Sequence, residues 1–408
     1  MWNTCITSLS HRHWYDFNLT RDNFQSKQLI DFNELVAFWI FITFTGLLYL
    51  LMIGFILIGW IRTQTFIPQD KIQQPFLSVI IPVRNETTQL SDLISDLNKQ
   101  DYPENKFEVI IVDDHSDHSP ESILPEFRAK RNIRILHLGK DEFGKKSALR
   151  KGLLASNNEL VLTTDADCRI QTGWISEMVN FFVSKQVKLV FGSVRFPESK
   201  KLFDLFQSLE FLSLVASGAG FAGNGNPVFC NAANMGFERK TYLQFLQEKE
   251  SDSAVSGDDV LFLLWLKKIY PGKIGFIKSL LTQVETKPAV SIKEFINQRL
   301  RWTSKSRYYK DSMMIITSLV VYFTSLSLFV LLIGSFFSKL LMTGFICLFL
   351  LKCIIDLFFL FIITGYYRNR YLLAVFLPLE IIHFIYISII GFAGNLLTFN
   401  WKGRKGKP

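Results

Sequence analysis

Long apolar runs separated by polar stretches set the organisation of this chain of 408 residues. The runs with few or no charges cover residues 35–61, 312–338, 340–364 and 371–400. Each run is long enough to cross a bilayer, which needs about 20 apolar residues. The pattern therefore predicts one membrane span ahead of a central region. It also predicts about three membrane-spanning or re-entrant segments after it, over residues 312–400.

The central region, residues 70–310, alternates short apolar runs with amphipathic ones. Five apolar runs have the length and composition of β-strands, at 77–82, 107–112, 133–138, 160–164 and 189–194. The segments 86–98 and 145–155 are predicted to be helices, the first with leucines spaced along one face. Apolar strands that alternate with helices indicate a mostly parallel sheet covered on both faces. The predicted fold class is therefore α/β, flanked by transmembrane helices.

The two ends of the chain are polar. Residues 1–34 form a polar N-terminal tail, and residues 401–408 form a basic C-terminal tail. The run at 35–61 is too long for a signal peptide, so we expect it to stay as a transmembrane anchor. The run at 371–400 contains Pro378, which leaves open whether it breaks into two shorter pieces.

Ionisable residues interrupt the predicted spans after the central region. Lys352 and Asp356 are four residues apart, and Glu380 and His383 are three apart, so each pair shares one side of a helix. Charges inside a bilayer are costly and usually face a protein interior or a watery path. One interpretation is a passage for a lipid head or a polymer. The other, which we slightly favour, is pairing between helices.

Composition and charge support membrane association. Hydrophobic residues make up 49% of the chain, more than a soluble protein of this size carries. The formal net charge is +9, and the basic residues near membrane ends indicate attraction to anionic lipid headgroups. We expect no nucleic-acid partner, because no binding motif accompanies the charge. Arg62 and the basic segment 293–310 flank the central region and predict that it is cytoplasmic.

Acidic side chains follow two of the predicted strands. Asp113 and Asp114 follow the second strand, and Asp165 and Asp167 follow the fourth. Ligands of open α/β sheets bind at the carboxyl ends of strands. The first pair could accept hydrogen bonds from a base or ribose, although acidic residues also suit turns after strands. The second pair offers hard oxygen ligands for Mg²⁺ or Mn²⁺ shared with a diphosphate, and the alternative is a simple acidic loop.

A third acidic motif, Gly257-Asp258-Asp259, precedes an apolar stretch that is predicted to be a helix. The helix dipole stabilises acids at a helix start, which is a sufficient structural reason for one of the two. The other could act as a general base, because neighbouring carboxylates raise one another's pKa toward working pH.

A basic and aromatic motif closes the central region. Gln298, Arg301 and Trp302 lie on one face of a predicted helix. A guanidinium can bind phosphate bidentately, and an indole can stack on a sugar or a base. The alternative is a basic amphipathic helix on the membrane surface, and both interpretations can hold at once. Gly144-Lys145 suggests a phosphate loop, but the GxxxxGK[ST] spacing of such loops is absent.

As a set, these motifs resemble those of the processive-type, membrane-bound family 2 glycosyltransferases. That group includes cellulose, chitin, hyaluronan and poly-N-acetylglucosamine synthases and ceramide glucosyltransferase. The resemblance covers roughly residues 75–310. The matching residues are Ile81 to Glu86, Asp113 to Ser116, Gly144 and Lys145 with Ala148 and Leu149, Asp165 to Asp167, Asn231 to Asn234, Ser256 to Asp259, and Gln298 to Trp302.

The resemblance implies a GT-A-type nucleotide-sugar-binding domain over residues 70–310 that ends in an interfacial helix. The residues implied to contact the nucleotide sugar are Pro82, Glu86, Asp113, Asp114 and Asp165. Asp165 and Asp167 are implied to hold Mg²⁺ or Mn²⁺, and Asp259, or else Asp258, is implied to be the catalytic base. The residues implied to contact the diphosphate or the acceptor are Gln298, Arg299, Arg301, Trp302, Asn231 and Asn234.

The implied function is inverting transfer of a sugar from a nucleotide-diphosphate sugar, expected to be a UDP-sugar, to a membrane-associated polysaccharide or lipid. About three spans after the domain are few for a polymer channel, so a single transfer to a lipid stays open. We expect an integral protein of the bacterial inner membrane that serves polysaccharide biosynthesis or the cell envelope, alone or with a partner subunit. The rival hypothesis is a catalytically inactive membrane scaffold, and the intact acidic series argues against it.

Overall fold

The structure is a computed structural model that describes residues 7–69, 73–123, 132–248, 258–394, 396–401 and 404–406. The side chains of residues 7–31 are not described. Of Asp258, one of the two candidate bases, only the backbone is described, and Gly257 lies outside the described residues.

Helices and strands largely alternate through the central region, and long helices precede and follow it. The helices are α1 (Thr7–Arg62), α2 (Thr87–Leu97), α3 (Gly144–Ala155), α4 (Trp174–Lys185), α5 (Leu202–Gly223), α6 (Arg239–Glu248), α7 (Asp258–Ile269), α8 (Ile292–Thr303), α9 (Ser312–Gly334), α10 (Lys339–Tyr366) and α11 (Phe376–Ala393). The strands are β1 (Leu77–Val83), β2 (Phe107–Asp113), β3 (Ile133–His137), β4 (Leu160–Thr163), β5 (Arg169–Ile170), β6 (Leu189–Gly192), β7 (Val194–Arg195), β8 (Met235–Glu238), β9 (Ile274–Ile277), β10 (Val284–Glu285), β11 (Phe399–Trp401) and β12 (Arg404–Gly406).

A seven-stranded sheet forms the centre of the α/β domain, in the order β3-β2-β1-β4-β8-β6-β9. Strands β3, β2, β1 and β4 are parallel, whereas β8 runs antiparallel to both of its neighbours, β4 and β6. Strand β9 is parallel to β6. A smaller sheet joins β5, β10 and β7. The predicted mostly parallel sheet is confirmed, and each of the five predicted strands is present within a few residues of its expected bounds.

Both faces of the central strands are apolar, which explains why helices cover both. Ile80 and Ile110 belong to one hydrophobic cluster, whereas their neighbours Val79 and Ile111 belong to another. This alternation follows from the side-chain period of a strand. The three leucines of α2 pack on the second cluster, as their spacing predicted. Because parallel strands end at the same edge, the residues that follow β1, β2 and β4 come together there.

Among the described residues, five helices are long and apolar enough to cross a membrane. Four correspond to the predicted runs: they lie in α1, in α9, in α10 and in the segment Arg370–Ala393 that contains α11. The fifth is α5, which lies inside the central domain and was not predicted. Asp204 and Glu210 interrupt its apolar residues, so no charge-free run marks it in the sequence.

The helix α11 does not break at Pro378. That proline is the third residue of the helix, in the first turn, where a missing N–H removes no intrahelical hydrogen bond. The helix ends at Ala393, earlier than the predicted end of the run at residue 400. Part of the predicted basic tail instead forms a short antiparallel pair between β11 and β12.

The end of α1 is buried in the central domain. Ile56 and Trp60 are 1% and 2% exposed, and the Trp60 ring packs against Phe276 of β9. The Lys278 ammonium donates to the carbonyl oxygens of Trp60 and Thr63, at 3.0 Å each. These carbonyls are at the C-terminal end of the helix and lack intrahelical donors. The anchor and the domain are therefore one packed unit.

Glycines let α1 and α5 approach to backbone contact. A methyl group at Gly59 would lie 1.8 Å from the carbonyl oxygen of Gly220. A methyl group at Gly223 would lie 2.0 Å from the carbonyl oxygen of Gly59. Close contact between small residues is a common way for apolar helices to associate.

Replacing Gly59 by alanine is expected to lower the thermal unfolding temperature of the detergent-solubilised protein. The added methyl would meet backbone, so the two helices must separate, and overpacking of this kind costs about 1–3 kcal/mol. Gly54→Ala is the matched control on the same helix, because nothing lies within 4 Å of its added methyl. Equal unfolding temperatures for the two variants would contradict the close packing of α1 on α5.

A buried ionic cluster joins three of the long apolar helices. Lys352 donates to Asp356 on α10 at 2.6 Å and also to Glu380 on α11. The hydroxyl of Tyr49 on α1 donates to Asp356 at 2.8 Å. The residues Lys352, Asp356 and Glu380 are each at most 8% exposed. Lys352 pairs with Asp356 as their spacing allows, and the contact of Lys352 on α10 with Glu380 on α11 agrees with the favoured interpretation of pairing between helices.

Candidate active site

Asp113 ends β2 and Asp114 follows it at the carboxyl edge of the sheet, as predicted, and both are about 5% exposed or less. The backbone N–H of Ser116 donates to Asp113 at 3.2 Å. The backbone N–H of Gly144, at the start of α3, donates to Asp114 at 3.1 Å, and Arg84 lies 3.6 Å from the same carboxylate. Both side chains are therefore held by the loops around them.

The loops after β1 and β2 are fastened to each other. The Asn85 side chain donates to Asp117 at 2.9 Å and accepts from the Asp117 N–H at 2.8 Å. Asn85 and His115 have φ values of 57° and 56°, in the left-handed region that few residues other than glycine adopt. Asparagine tolerates this region best of the non-glycine residues, which explains its place in this turn.

The residues Pro82 and Glu86 lie in and after β1. Pro82 is half-buried within the strand, paired in register with Val112 of β2. Glu86 is the residue before α2, and its carbonyl oxygen accepts from the Leu90 N–H at 2.9 Å. Both predicted nucleotide-sugar contacts therefore lie beside the carboxyl edge of the sheet.

A histidine that the sequence analysis did not single out lies beside Asp113. His137 ends β3, next to β2 in the sheet, and its Nδ1 lies 3.3 Å from Asp113 Oδ2. Its Nε2 lies 2.7 Å from Glu121 Oε1. Hydrogen bonding to Glu121 and Asp113 raises the pKa of His137, against the opposing effect of its partial burial.

The acidic pair Asp165 and Asp167 follows β4 at the same edge. Asp165 forms an ion pair with Lys145 of α3. Asp167 accepts a hydrogen bond from the Thr286 hydroxyl at 3.4 Å, and Cys168 between it and β5 is buried. Lys145 was rejected as part of a phosphate loop, so its contact with this pair was not predicted. The sequence signal for it is the place of Gly144 and Lys145 among the residues that carry the resemblance.

The donor atoms of this pair fit a divalent cation that shares a bound diphosphate. In the part of the chain that the structure describes, no group of three or more His, Cys, Asp or Glu side chains surrounds one point. Within the described residues, the site therefore offers the carboxylates of Asp165 and Asp167 and no full set of metal ligands. Mg²⁺ is usually bound in this way, through one or two carboxylates together with substrate phosphates.

Asp259 is the second residue of α7, and the loop before β8 fixes its carboxylate. The backbone N–H of Ala232 donates to Oδ2 at 3.2 Å, and the N–H of Val260 donates to Oδ1 at 2.9 Å. A carboxylate has about four lone-pair positions, so capacity remains for a further hydrogen bond. Asp259 is thus oriented by the Asn231–Asn234 loop, which joins two of the predicted motifs.

Lys145, Asp165, Asp259 and Arg301 form one electrostatic cluster. Burial alone would lower the pKa of Lys145, but the carboxylates of Asp165 and Asp259 raise it above its ordinary value. Burial lowers the pKa of Arg301, while the same two carboxylates act in the opposite direction. The side chains of Lys145 on α3 and Arg301 on α8 therefore both interact electrostatically with Asp165 and Asp259. The cluster can receive a group that carries several negative charges.

In the rest of the α8 motif, Gln298 and Trp302 contact Arg299, and Arg299 also binds α5. Arg299 donates to Glu210 of α5 at 3.1 Å and to Gln298 at 2.6 Å, and it lies over the ring of Trp302 at 4.2 Å. Glu210 also accepts from the Tyr386 hydroxyl of α11 at 2.7 Å. Arg299 is only 5% exposed. It lies inside the fold rather than at a surface where it would contact a ligand, as the resemblance implied.

The two asparagines implied to contact the acceptor have different surroundings. Asn234 is fully buried, accepts from the Trp174 indole at 2.9 Å, and donates to the carbonyl oxygens of Ser193 and Thr282. These bonds use its polar atoms inside the fold, which argues against contact with an acceptor. Asn231 is half-buried and accepts from the Ala233 N–H at 3.0 Å, so it shapes the loop that holds Asp259.

The sheet order and the carboxylates at its edge define the class of the domain, which is the GT-A fold. Residues 78–244 match the sequence model of the family described as glycosyl transferase family 2. The predicted fold class is confirmed, and this match agrees with the predicted resemblance.

The chain is similar to named relatives over part of its length. It is 32% identical over 123 residues to the glycosyltransferase AglE of Haloferax volcanii, a match that covers 30% of this chain and 40% of the relative. It is 35% identical over 108 residues to the dolichyl-phosphate beta-glucosyltransferase of Dictyostelium discoideum, covering 24% of this chain and 33% of the relative. The chain thus spans well under half the length of these curated relatives.

One solved structure resembles most of the chain. It is the mannosyltransferase PcManGT from Pyrobaculum calidifontis, in complex with GDP-Man and Mn²⁺. The TM-score is 0.56 at 16% sequence identity, and the alignment covers 89% of this chain and 97% of that one. At this identity the likeness establishes the fold alone.

Proposed function

We propose that the protein is an inverting glycosyltransferase of the membrane. It transfers a sugar from a nucleotide-diphosphate sugar, preferably a UDP-sugar, to a lipid or glycan acceptor at the membrane. The observation that carries the proposal is the cluster at the sheet edge, where Lys145 pairs with Asp165, the loop before β8 holds Asp259, and both carboxylates act on the Arg301 guanidinium. A scaffold would have no use for two cations and two carboxylates at this point.

The donor side of the site is formed by the residues after β1, β2 and β4. In this proposal, Asp113 and Asp114 accept hydrogen bonds from the base and ribose, with Pro82 and Glu86 beside them. Burial in a water-poor pocket strengthens such bonds. The Asp113 and Asp114 carboxylates are already oriented by backbone donors, so little ordering is needed when the donor binds.

The diphosphate is received by the basic residues of the cluster. Arg301 and Lys145 bind its oxygens and balance the charge that develops as it leaves. Asp165 and Asp167 would hold a divalent cation, which when bound stabilises the departing diphosphate. Mn²⁺ in the complex of the mannosyltransferase with the same fold supports a divalent cation in this chain as well.

Asp259 is the proposed base. It accepts the proton of the acceptor hydroxyl, and the acceptor oxygen forms a bond to the sugar C1 while the bond from C1 to the diphosphate breaks. The electron pair of the broken bond leaves with the diphosphate. An in-line displacement of this kind inverts the configuration at C1. The two backbone N–H groups that hold Asp259 fix the direction from which the base acts.

The membrane helices support an acceptor that is itself bound to the membrane. The α8 motif is tied through Glu210 to α5 and through Tyr386 to α11, so the reaction site and the membrane helices are continuous. The dolichyl-phosphate relative is named for a lipid acceptor, which favours a lipid. We place the central domain on the cytoplasmic side of a bacterial inner membrane, consistent with the basic residues at its flanks.

The test is release of nucleoside diphosphate by the purified full chain in detergent. UDP- and GDP-sugars are supplied one at a time with Mn²⁺ or Mg²⁺, and with lipid or oligosaccharide acceptors. We expect one donor to give acceptor-dependent release. Asp167→Ala is expected to reduce it by at least about a hundredfold, because a cation contributes several kcal/mol to charge stabilisation.

Glu159→Ala is the matched control for this experiment. Glu159 is exposed ahead of the amino end of β4, whereas Asp167 follows the carboxyl end of the same strand. The control is expected to keep the wild-type rate. Absence of release with every donor and acceptor would replace the proposal by the inactive-scaffold hypothesis.

A further inference from the structure

Each of the two ring nitrogens of His137 lies within hydrogen-bonding distance of a carboxylate. Asp113 Oδ2 lies 3.3 Å from Nδ1, and Glu121 Oε1 lies 2.7 Å from Nε2. A neutral imidazole has one N–H and one lone pair, so it can donate to only one of these carboxylates. The other nitrogen would then direct its lone pair at a carboxylate oxygen. Both contacts are favourable only when His137 is an imidazolium.

We propose that His137, as an imidazolium, is the positioning residue for Asp113 and makes nucleotide binding weaken as the pH rises. The inference rests on the proposed function, in which Asp113 accepts hydrogen bonds from the nucleotide. It adds a residue and a pH dependence that the catalytic motifs do not contain.

The position of His137 in the sheet places its imidazole in direct contact with the Asp113 carboxylate. Strands β3 and β2 are parallel neighbours, with His137 opposite Asp113 in register, so the contact is fixed by backbone pairing. Asp113 is 5% exposed, and the Ser116 N–H also donates to its carboxylate. The imidazolium is therefore a cation that orients this carboxylate from the strand beside it.

The groups that face the imidazole are acidic. Among the described residues they are Asp113 at the end of β2 and Glu121 in the turn Pro120–Ile123. Both favour the charged ring, in agreement with the raised pKa of His137. A raised pKa means that the favourable contact is present at low pH and is lost as the pH rises through that pKa.

The experiment measures the Kd of the full chain for UDP, and in parallel for GDP, from about pH 6 to about pH 9, on both sides of the ordinary histidine pKa. His137→Gln is compared with the wild type at each pH, so that titration of the ligand phosphate cancels in the ratio of the two Kd values. The variant is expected to bind about tenfold more weakly at the acidic end, the size of one charge-assisted hydrogen bond. At the alkaline end, the two proteins are expected to bind equally.

A second variant separates this role from a purely structural one. Glu121→Gln removes one of the two negative charges and should move the pH midpoint of wild-type binding to lower pH. His118→Gln, which changes an exposed histidine of the neighbouring loop, should follow the wild type at every pH. A ratio for His137→Gln that is constant across the pH range would overturn the inference and leave the proposed function intact. Failure of the wild type to bind either nucleotide at any pH would overturn both.

Discussion

Replacing Asp259 by asparagine is expected to lower the turnover of sugar transfer about a thousandfold, within the range that general-base catalysis contributes. Asparagine has nearly the same shape and keeps one oxygen that can accept from a backbone N–H. It cannot accept the proton of an acceptor hydroxyl. Donor binding should therefore persist while the transfer step fails. Single-turnover transfer and equilibrium UDP or GDP binding, measured on the same preparation, separate the two.

Two further variants sharpen this result. Glu159→Gln makes the same change of charge and atoms at an exposed acid beyond the opposite end of β4, and it should transfer sugar at the wild-type rate. Asp258→Asn tests the neighbouring candidate, which begins the same helix. If Asp258→Asn were inactive and Asp259→Asn active, the assignment of the base to Asp259 would be refuted. Wild-type rates for both Asp258→Asn and Asp259→Asn would place the base elsewhere, and absence of transfer by every protein, the wild type included, would point to the scaffold hypothesis.

Replacing Lys352 by methionine is expected to cause the largest loss of stability. The change leaves Asp356 and Glu380 buried without the cation between them, and breaking a buried pair in this way costs about 3–5 kcal/mol. The measurement is the unfolding temperature and the yield of folded protein in detergent. Lys339→Met is the matched control, because Lys339 is exposed at the start of the same helix.

The triple variant Lys352→Met, Asp356→Asn, Glu380→Gln distinguishes lost pairing from lost packing. It removes all three charges while keeping similar volumes, and such neutral replacements are often close to the wild type in stability. We expect it to be more stable than Lys352→Met alone. If the single variant were as stable as the wild type, the cluster would not hold the three helices together.

The strands of this domain could be predicted because their signals are local. The segment 107–112 is a buried apolar run followed by acids, and the structure makes it β2 with Asp113 at its end. The helix α5 could not be found in this way, since Asp204 and Glu210 interrupt its apolar pattern. The charge of Glu210 is balanced by Arg299, nearly ninety residues later in the chain. A charge looks costly in a sequence until its partner is known.

The sequence predicted most residues of the site but not the contacts between them. The acidic pairs and Arg301 were named from motifs, whereas Lys145 was set aside because its loop lacks the usual spacing. Its contact with Asp165 arises because α3 starts beside the end of β2, and β4, which Asp165 follows, lies two strands away in the same sheet. Asn234 belongs to the same motif as Asn231, yet its side chain is hydrogen-bonded to a buried indole and two backbone carbonyls. Spacing cannot distinguish a residue that faces a ligand from one that faces the core.

The burial of α1 in the central domain has a consequence for how the protein is made. Ile56 and Trp60 leave the ribosome well before α5 and β9, the elements that cover them in the finished fold. Until α5 is synthesised, this apolar end of α1 lacks the elements that later cover it, and until β9 follows, Trp60 remains only partly covered, so it depends on lipid or chaperones. Shortening the protein to its domain would expose the complementary surface permanently. A soluble version would therefore need new polar residues on α5 and β9 as well as the removal of the anchor.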